Sequence, residues 1–204
     1  MTIVRGSVVK LNALEFAVVN NPLRAAAQRW VETPLLLGGR NGLRGEHVLE
    51  VGCGRGVGLE ILASLGAASA VGFDLDPAMI ALARSRVASG GWGVAAYVGD
   101  ATAISAPDGS FDAVVEYAIL HHIPPWRDAL GEIARVLRPG GVFYFEDLLR
   151  GFTTAWPVSV LFDHPLQTQF TGEEFRAALE AHDLQVQAWH QLGPWAVIGR
   201  AVRR

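Results

Sequence analysis

The chain has 204 residues, a formal net charge of −3 and 50% hydrophobic residues, a composition typical of one globular domain with a substantial core. The slightly acidic balance gives no electrostatic reason to expect a nucleic-acid backbone as a partner. Cys53 is the only cysteine, which excludes an intrachain disulfide and a cysteine cluster for zinc. No apolar run has the length of a membrane span and no signal peptide is apparent, so we expect a cytoplasmic protein.

The segment before the first strand, residues 1–45, is predicted to be a helical cap. Asn20 or Asn21 can cap a helix whose first residue is Pro22, and apolar residues follow at helical spacing until Gly38. Two roles fit this helix: cover for one edge of a sheet, or a lid over a substrate.

A glycine-rich turn follows the first predicted strand, residues 48–51, which has the length and β-branched content of a buried strand. Gly52, Gly54 and Gly56 leave backbone open to a ligand, and the N–H groups of the turn and the next helix point towards it. The dinucleotide pattern G-x-G-x-x-G fails from Gly52 and from Gly54, since Val57 and Leu59 stand where its third glycine belongs. The turn therefore indicates a nucleotide-type cofactor, and its register disfavours a dinucleotide.

Acidic residues end the next predicted strands. Asp74 lies about twenty residues past the glycine turn, where nucleotide-binding folds place the carboxylate that accepts from ribose hydroxyls. Asp76 precedes Pro77 and is predicted to cap a helix.

A third strand is predicted at residues 97–101, a fourth at 113–117 and a fifth at 142–146, with a helix at 126–137 between the last two. Residues 171–174 form a capping-box pattern, and residues 184–189 and 195–202 look like two closing strands.

These segments together resemble class I S-adenosylmethionine (SAM)-dependent methyltransferases. The E-x-G-x-G-x-G turn at residues 50–56 resembles their motif I, and G-D-A (99–101), D-G-S-F-D (108–112), L-H-H (120–122) and L-R-P-G-G (137–141) follow in the family's order. The resemblance covers residues 48–147, about half of the chain. It implies a Rossmann-like α/β fold, with a seven-stranded, mostly parallel sheet, helices on both faces and an antiparallel last strand. It also implies one domain over residues 1–204, with the cap at 1–45, a SAM-binding core at 46–147 and a substrate-side segment with closing strands at 148–204.

The resemblance further implies SAM as cofactor and S-adenosylhomocysteine as product. The motif I acid and glycines would hold the cofactor's amino-acid end, Asp74 its ribose, and the acid and backbone N–H after the third strand its adenine. The predicted cofactor-binding residues are Glu50, Gly52, Gly54, Gly56, Asp74, Leu75, Asp100, Ala101 and Glu116.

The acceptor side is predicted less directly. His121 and His122 are candidate general bases, since histidine titrates near neutral pH. Neighbouring helical residues point in different directions, so at most one should face the acceptor, and a paired metal site is not expected. A structural role for both histidines is the alternative.

Residues 148–170 show no periodic element but are rich in aromatic residues, and we interpret them as part of the substrate pocket. With the cap, they are predicted to supply an apolar wall of Trp30, Phe152, Trp156 and Phe162. The Asn/Asp-Pro-Pro-aromatic run common in methyltransferases that act on nucleic-acid bases is absent after the fourth strand. We therefore expect a small, partly apolar acceptor and no nucleic acid; a non-catalytic SAM-binding module and an NAD(P)-dependent oxidoreductase remain alternatives.

Overall fold

A computed structural model describes residues 21–88, 93–161 and 169–204. In these ranges seven strands form one sheet in the order β3-β2-β1-β4-β5-β7-β6. Their bounds are β1 His47–Val51, β2 Ser69–Asp74, β3 Val94–Val98, β4 Phe111–Tyr117, β5 Leu137–Leu148, β6 Leu184–Leu192 and β7 Ala196–Arg203. Strands β1 to β5 pair in parallel, and β7 lies antiparallel to both β5 and β6. The predicted Rossmann-like fold is confirmed.

Helices cover both faces of this sheet. They are α1 Pro22–Ala27, α2 Thr33–Leu37, α3 Val57–Ser64, α4 Pro77–Ala88, α5 Trp126–Val136, α6 Arg150–Thr153, α7 Val158–Leu161 and α8 Gly172–Ala181. A π-helical turn, Gln28–Glu32, joins α1 to α2, and a 3₁₀ turn, Leu120–His122, follows β4.

Two apolar clusters mark the two faces, because consecutive strand residues point to opposite sides. Helices α2, α3 and α4 pack with Val48, Val115 and Tyr144, and we call this side the cap face. Helices α5 and α8 pack with Val51 and Phe145, and we call this side the α5 face.

The predicted helix starts at both ends of the chain are confirmed. The Asn21 side chain accepts the Arg24 N–H at 2.8 Å, with Pro22 as the first helical residue. At α8, Thr171 and Glu174 form a reciprocal capping box. Both signals are local, which explains why the sequence alone reveals them.

The structure differs from the predictions most in three regions. Strand β3 begins at Val94 and ends at Val98, so the predicted strand at 97–101 is displaced and Asp100 lies in the turn beyond it. Strand β5 begins at Leu137, and the Pro-Gly-Gly run lies within a register shift against β4 instead of before the strand. The region after β5 holds the single-turn helices α6 and α7, which are too short to show an apolar period.

Candidate active site

The carboxyl ends of β1, β2 and β4 bring the predicted cofactor residues to one edge of the sheet. Val51 pairs with Phe73 on one side and with Glu116 on the other, so the three strands end at one level. In an open α/β sheet, ligands bind at this edge. They bind beside the first strand, where the order of the strands reverses. One edge of the sheet thus holds the predicted cofactor residues. They lie on β1, β2 and β4 and in the turns that follow β1, β2 and β3.

Each position of the turn after β1 that holds a glycine has its own structural reason for lacking a side chain. Gly52, Gly54 and Gly56 all have left-handed backbone, with φ of 67°, 49° and 82°. A Cβ on Gly52 would overlap the side chain of Ile119, and one on Gly56 would lie 3.0 Å from the Ala83 Cα. A Cβ on Gly54 would meet nothing within 4 Å. Gly54 therefore borders open space, where a ligand can approach the backbone.

Glu50 lies buried beneath the start of α3. Its side chain sits against Gly58, where an added Cβ would overlap the carboxylate. It accepts the Leu59 N–H, while its Oε2 has no hydrogen-bond partner among the described residues. Burial raises the pKa of Glu50 well above its ordinary value, and nearby Asp74 adds to the effect. The carboxyl thus anchors the helix start and keeps an oxygen available for a further donor.

Asp74 ties the glycine turn to the turn after β2. Its two carboxylate oxygens accept the Gly54 N–H at 3.0 Å and the Asp76 N–H at 2.9 Å. Burial raises the pKa of Asp74, and these two bonds oppose that rise. The Asp76 side chain accepts the Ala78 N–H at 2.8 Å, the helix-capping role predicted for it. Leu75, between them, is about half exposed.

Asp100 and Ala101 form a turn after β3. The Thr102 backbone N–H and hydroxyl both donate to Asp100 Oδ1 at 2.8 Å, which fixes the carboxylate in an otherwise exposed position. Ala101 is buried. These two residues lie at the β3 end of the edge, beyond Asp74.

A buried acidic cluster with one histidine lies on the α5 face. Glu116 and Asp147 are fully buried and His121 is 2% exposed. His121 Nδ1 hydrogen-bonds Asp147, whose carboxylate also accepts the His121 N–H at 3.3 Å and the Leu148 N–H at 2.7 Å. Glu116 accepts the Ile119 N–H at 3.1 Å, and its Oε1 has no hydrogen-bond partner within the described ranges. Burial raises the pKa of Glu116 well above its ordinary value, and the charge of Asp147 adds to this.

Asp147 was not predicted as a site residue. It lies two residues past Phe145 and therefore on the same face of β5. The signal available in the sequence was an acid at the end of a buried strand, the same signal that identified Asp74. The structure separates the two histidines: His121 is held by Asp147, and the His122 ring lies beside it, with ring centres 4.1 Å apart.

A second polar group lies on the cap face, where α1 and α2 cover the sheet edge. The Tyr117 hydroxyl lies 2.8 Å from Thr33 Oγ1. Arg24 pairs with Glu32 and reaches Glu146 at 3.7 Å. The cap helices therefore contact the ends of β4 and β5 directly.

The predicted apolar wall is only partly supported. Trp30 is 74% exposed and Trp156 is 83% exposed, so neither lies in an enclosed wall formed by the described residues. Phe152 is partly buried, and Phe162 lies outside the described residues.

In the described ranges, no group of three or more His, Cys, Asp or Glu residues is arranged to hold a metal ion. No helix in the same ranges has both the length and the apolar character needed to cross a membrane.

Known proteins resemble this chain in the segment that forms this edge. Residues 49–145 match the model of a methyltransferase domain. The chain is 42% identical over 107 residues to the phthiotriol/phenolphthiotriol dimycocerosates methyltransferase of Mycobacterium tuberculosis, covering 52% of this chain and 39% of that protein. It is 35% identical over 136 residues to the ubiquinone biosynthesis O-methyltransferase of Thiobacillus denitrificans, covering 64% of this chain and 52% of that protein. The chain thus aligns with about half of these relatives' length, or less.

The fold is similar to that of solved methyltransferases. A SAM-dependent methyltransferase from Aquifex aeolicus superposes with a TM-score of 0.75 at 20% identity, covering 96% of this chain and 100% of the other. The matched segment 49–145 runs from β1 into β5 and contains the glycine turn, Asp74, the turn after β3 and the His121 turn. Residues 49–145 therefore match a methyltransferase domain, and the fold is the one found in a solved SAM-dependent methyltransferase.

Proposed function

We propose that this protein transfers a methyl group from SAM to a small, partly apolar acceptor. The observation that carries the proposal is the turn after β1, where open space borders Gly54, Asp74 bonds the Gly54 N–H and Glu50 lies buried beneath the next helix. SAM brings a sulfonium and an ammonium group, so carboxyls around an open backbone turn suit its charge. The methyltransferase domain in the same residues supports this assignment.

The cofactor is proposed to lie along the edge from β4 to β3. Glu50 and the three glycines would hold its amino-acid end, with Glu116 nearby. Asp74 and Leu75 would hold the ribose: the Asp74 oxygens accept backbone N–H groups, among them those of Gly54 and Asp76, and a carboxylate has lone pairs for a hydroxyl as well. Asp100 would accept from the exocyclic amino group of adenine, and the Ala101 N–H would donate to a ring nitrogen.

On the acceptor side we propose His121 as the general base and Asp147 as the residue that positions it. With Nδ1 bonded to Asp147, a proton exchanged between His121 and an acceptor would pass through Nε2. A base is needed when the methylated atom must lose a proton, as a hydroxyl does. Holding that atom in line with the methyl group can lower the barrier by roughly 7–11 kcal/mol. An O-methyl acceptor also agrees with the name of the Thiobacillus relative.

Two measurements test the proposal. In calorimetry the protein should bind SAM and S-adenosylhomocysteine and show no heat with NAD. Binding of NAD without a response to either SAM ligand would refute the assignment. A screen of apolar alcohols, phenols, fatty acids and amines with methyl-labelled SAM should then give transfer to a hydroxyl or carboxyl acceptor. Binding without transfer to any of them would favour the non-catalytic SAM-binding alternative.

A further inference from the structure

The Tyr117 hydroxyl takes part in a chain of hydrogen bonds whose direction can be deduced. Thr33 Oγ1 lies 2.7 Å from the Gln28 carbonyl oxygen and 2.8 Å from the Tyr117 hydroxyl. A carbonyl only accepts, so the single hydroxyl proton of Thr33 is directed to Gln28. Tyr117 must therefore donate its own proton to Thr33. Towards any other group, the Tyr117 oxygen acts as an acceptor only.

The π-helical turn in the cap creates this arrangement. The Thr33 N–H also bonds the Gln28 carbonyl, the five-residue step that defines the turn. Thr33 is 3% exposed, and its side chain faces β4 instead of solvent. One buried threonine thus connects the cap backbone to the end of the central strand β4.

The surroundings of Tyr117 are rich in carboxyl oxygens. Tyr117 is in register with Glu146 and lies two residues beyond Val115, which pairs with Glu50. All three side chains therefore lie on the cap face. The carboxyls of Glu50 and Glu146 each have one buried oxygen without a hydrogen-bond partner among the described residues, and Glu50 is only 2% exposed. Burial and the neighbouring carboxyls raise the pKa of Tyr117, against the opposing effect of its bond with Thr33, so the proton stays on the Tyr117 hydroxyl.

A ligand group that hydrogen-bonds several of these oxygens at once needs several donors, and a positive charge on it favours the ionised form of the buried carboxyls. A primary ammonium has three N–H donors and one charge. We infer that Tyr117, positioned by Thr33, accepts a hydrogen bond from the ammonium at the amino-acid end of SAM, beside Glu50. The inference rests on the proposed binding of SAM, and it makes the cap helices part of the cofactor site.

The test compares two ligands that differ in this end alone. S-adenosylhomocysteine carries the ammonium, and 5′-methylthioadenosine keeps the adenosine and thioether but lacks the amino-acid end. Calorimetry with Tyr117→Phe should show affinity for S-adenosylhomocysteine reduced about 10–100-fold, the range for loss of a hydrogen bond to a charged group. Affinity for 5′-methylthioadenosine should change less than about 2-fold, since the ring of Tyr117 is retained.

Thr33 provides a second, independent variant. Thr33→Val leaves the Tyr117 proton without its partner, so S-adenosylhomocysteine should again bind more weakly and 5′-methylthioadenosine should not. Thr33→Ser retains the hydroxyl and should restore wild-type affinity. The double variant should bind no more weakly than Tyr117→Phe, because both changes remove one interaction.

Three results would overturn the inference. Unchanged affinity of Tyr117→Phe for S-adenosylhomocysteine would show that the hydroxyl does not meet the ligand. An equal loss for both ligands would assign Tyr117 to general support of the pocket. A wild-type protein that binds neither ligand would refute SAM binding itself, which separates failure of the proposed function from failure of the role of Tyr117.

Discussion

Replacement of Glu146 by glutamine should change the pH dependence of stability in a defined direction. The side chain is 18% exposed, and burial, with the nearby carboxyl of Glu32, raises its pKa from 4.5 to about 8, against the opposing effect of Arg24. Between these two pH values the folded protein keeps a proton that the unfolded chain releases. The free energy of unfolding therefore falls as pH rises through this window.

The magnitude follows from the width of the window. Each pH unit changes the free energy of unfolding by about 1.4 kcal/mol per proton. The interval from 4.5 to about 8 thus gives an upper bound of roughly 5 kcal/mol, which local rearrangement and water will reduce. Glu146→Gln has the same shape and no proton to lose. Near pH 5 the free energy of unfolding of the variant should be equal to or lower than that of the wild type. At pH 8 and above it should be higher.

Urea unfolding at pH values from 5 to 9 measures this difference directly. Glu174→Gln is a matched control of opposite sign, because hydrogen bonds from Thr171 and Arg150 lower the pKa of Glu174. Its stabilising effect is fully present above the unfolded pKa of 4.5, so the deficit of Glu174→Gln should stay constant from pH 5 to 9 and shrink only on further acidification. A Glu146→Gln difference that stays constant across this pH range would refute the argument that Glu146 is neutral in the folded protein.

Two further substitutions test the turn after β1 and its partner. Gly52→Ala should destabilise the fold by more than the roughly 1–2 kcal/mol of a left-handed alanine, because the new methyl overlaps Ile119. Gly140→Ala is its control, with a φ of 78° and nothing within 4 Å of the new Cβ; equal losses in urea unfolding would contradict the clash. Asp74→Ala should weaken SAM binding by about 1–3 kcal/mol in calorimetry, the effect of leaving polar partners without their bonds. Unchanged affinity in a folded protein would show that another group holds the ribose.

The features that could be predicted from sequence are those determined by neighbouring residues. The glycines at 52, 54 and 56 require left-handed backbone locally, and all three have it. Asp76 and Asn21 cap helices through bonds to residues two and three positions ahead. The strands β1, β2 and β4 are buried on both faces and read as apolar runs.

The features that escaped prediction depend on residues that are distant in the chain. The bond between His121 and Asp147 joins positions 26 residues apart, and that between Thr33 and Tyr117 joins positions 84 residues apart. Neither contact follows from periodicity, since each requires the packing of one element on another. The same holds for the early start of β5, where pairing with Phe111 on β4 draws Leu137 into the sheet.

The pairing of His121 with Asp147 allows the two adjacent histidines to be distinguished by experiment. Asp147→Asn keeps the shape of the side chain but presents His121 Nδ1 with a neutral amide in place of a carboxylate, which weakens control of the ring's tautomer and orientation. If His121 is the base, turnover of an acceptor found in the screen should fall by about 10²–10⁴-fold, with SAM affinity unchanged. Turnover by His121→Gln should fall by as much, and His122→Gln should keep most of the wild-type turnover.

A structural role for the pair predicts a different set of results. Asp147 also accepts the backbone N–H groups of His121 and Leu148, so its replacement could act by loosening the turn after β4. In that case the free energy of unfolding and SAM affinity would fall together, and turnover would follow the folded fraction. The Nδ1 proton of His121 gives a further readout, because its ¹⁵N-edited NMR signal should be present in the wild type and shifted in Asp147→Asn. Full turnover in a folded Asp147→Asn protein would exclude the pair from the chemistry and return the role of base to His122 or to the acceptor itself.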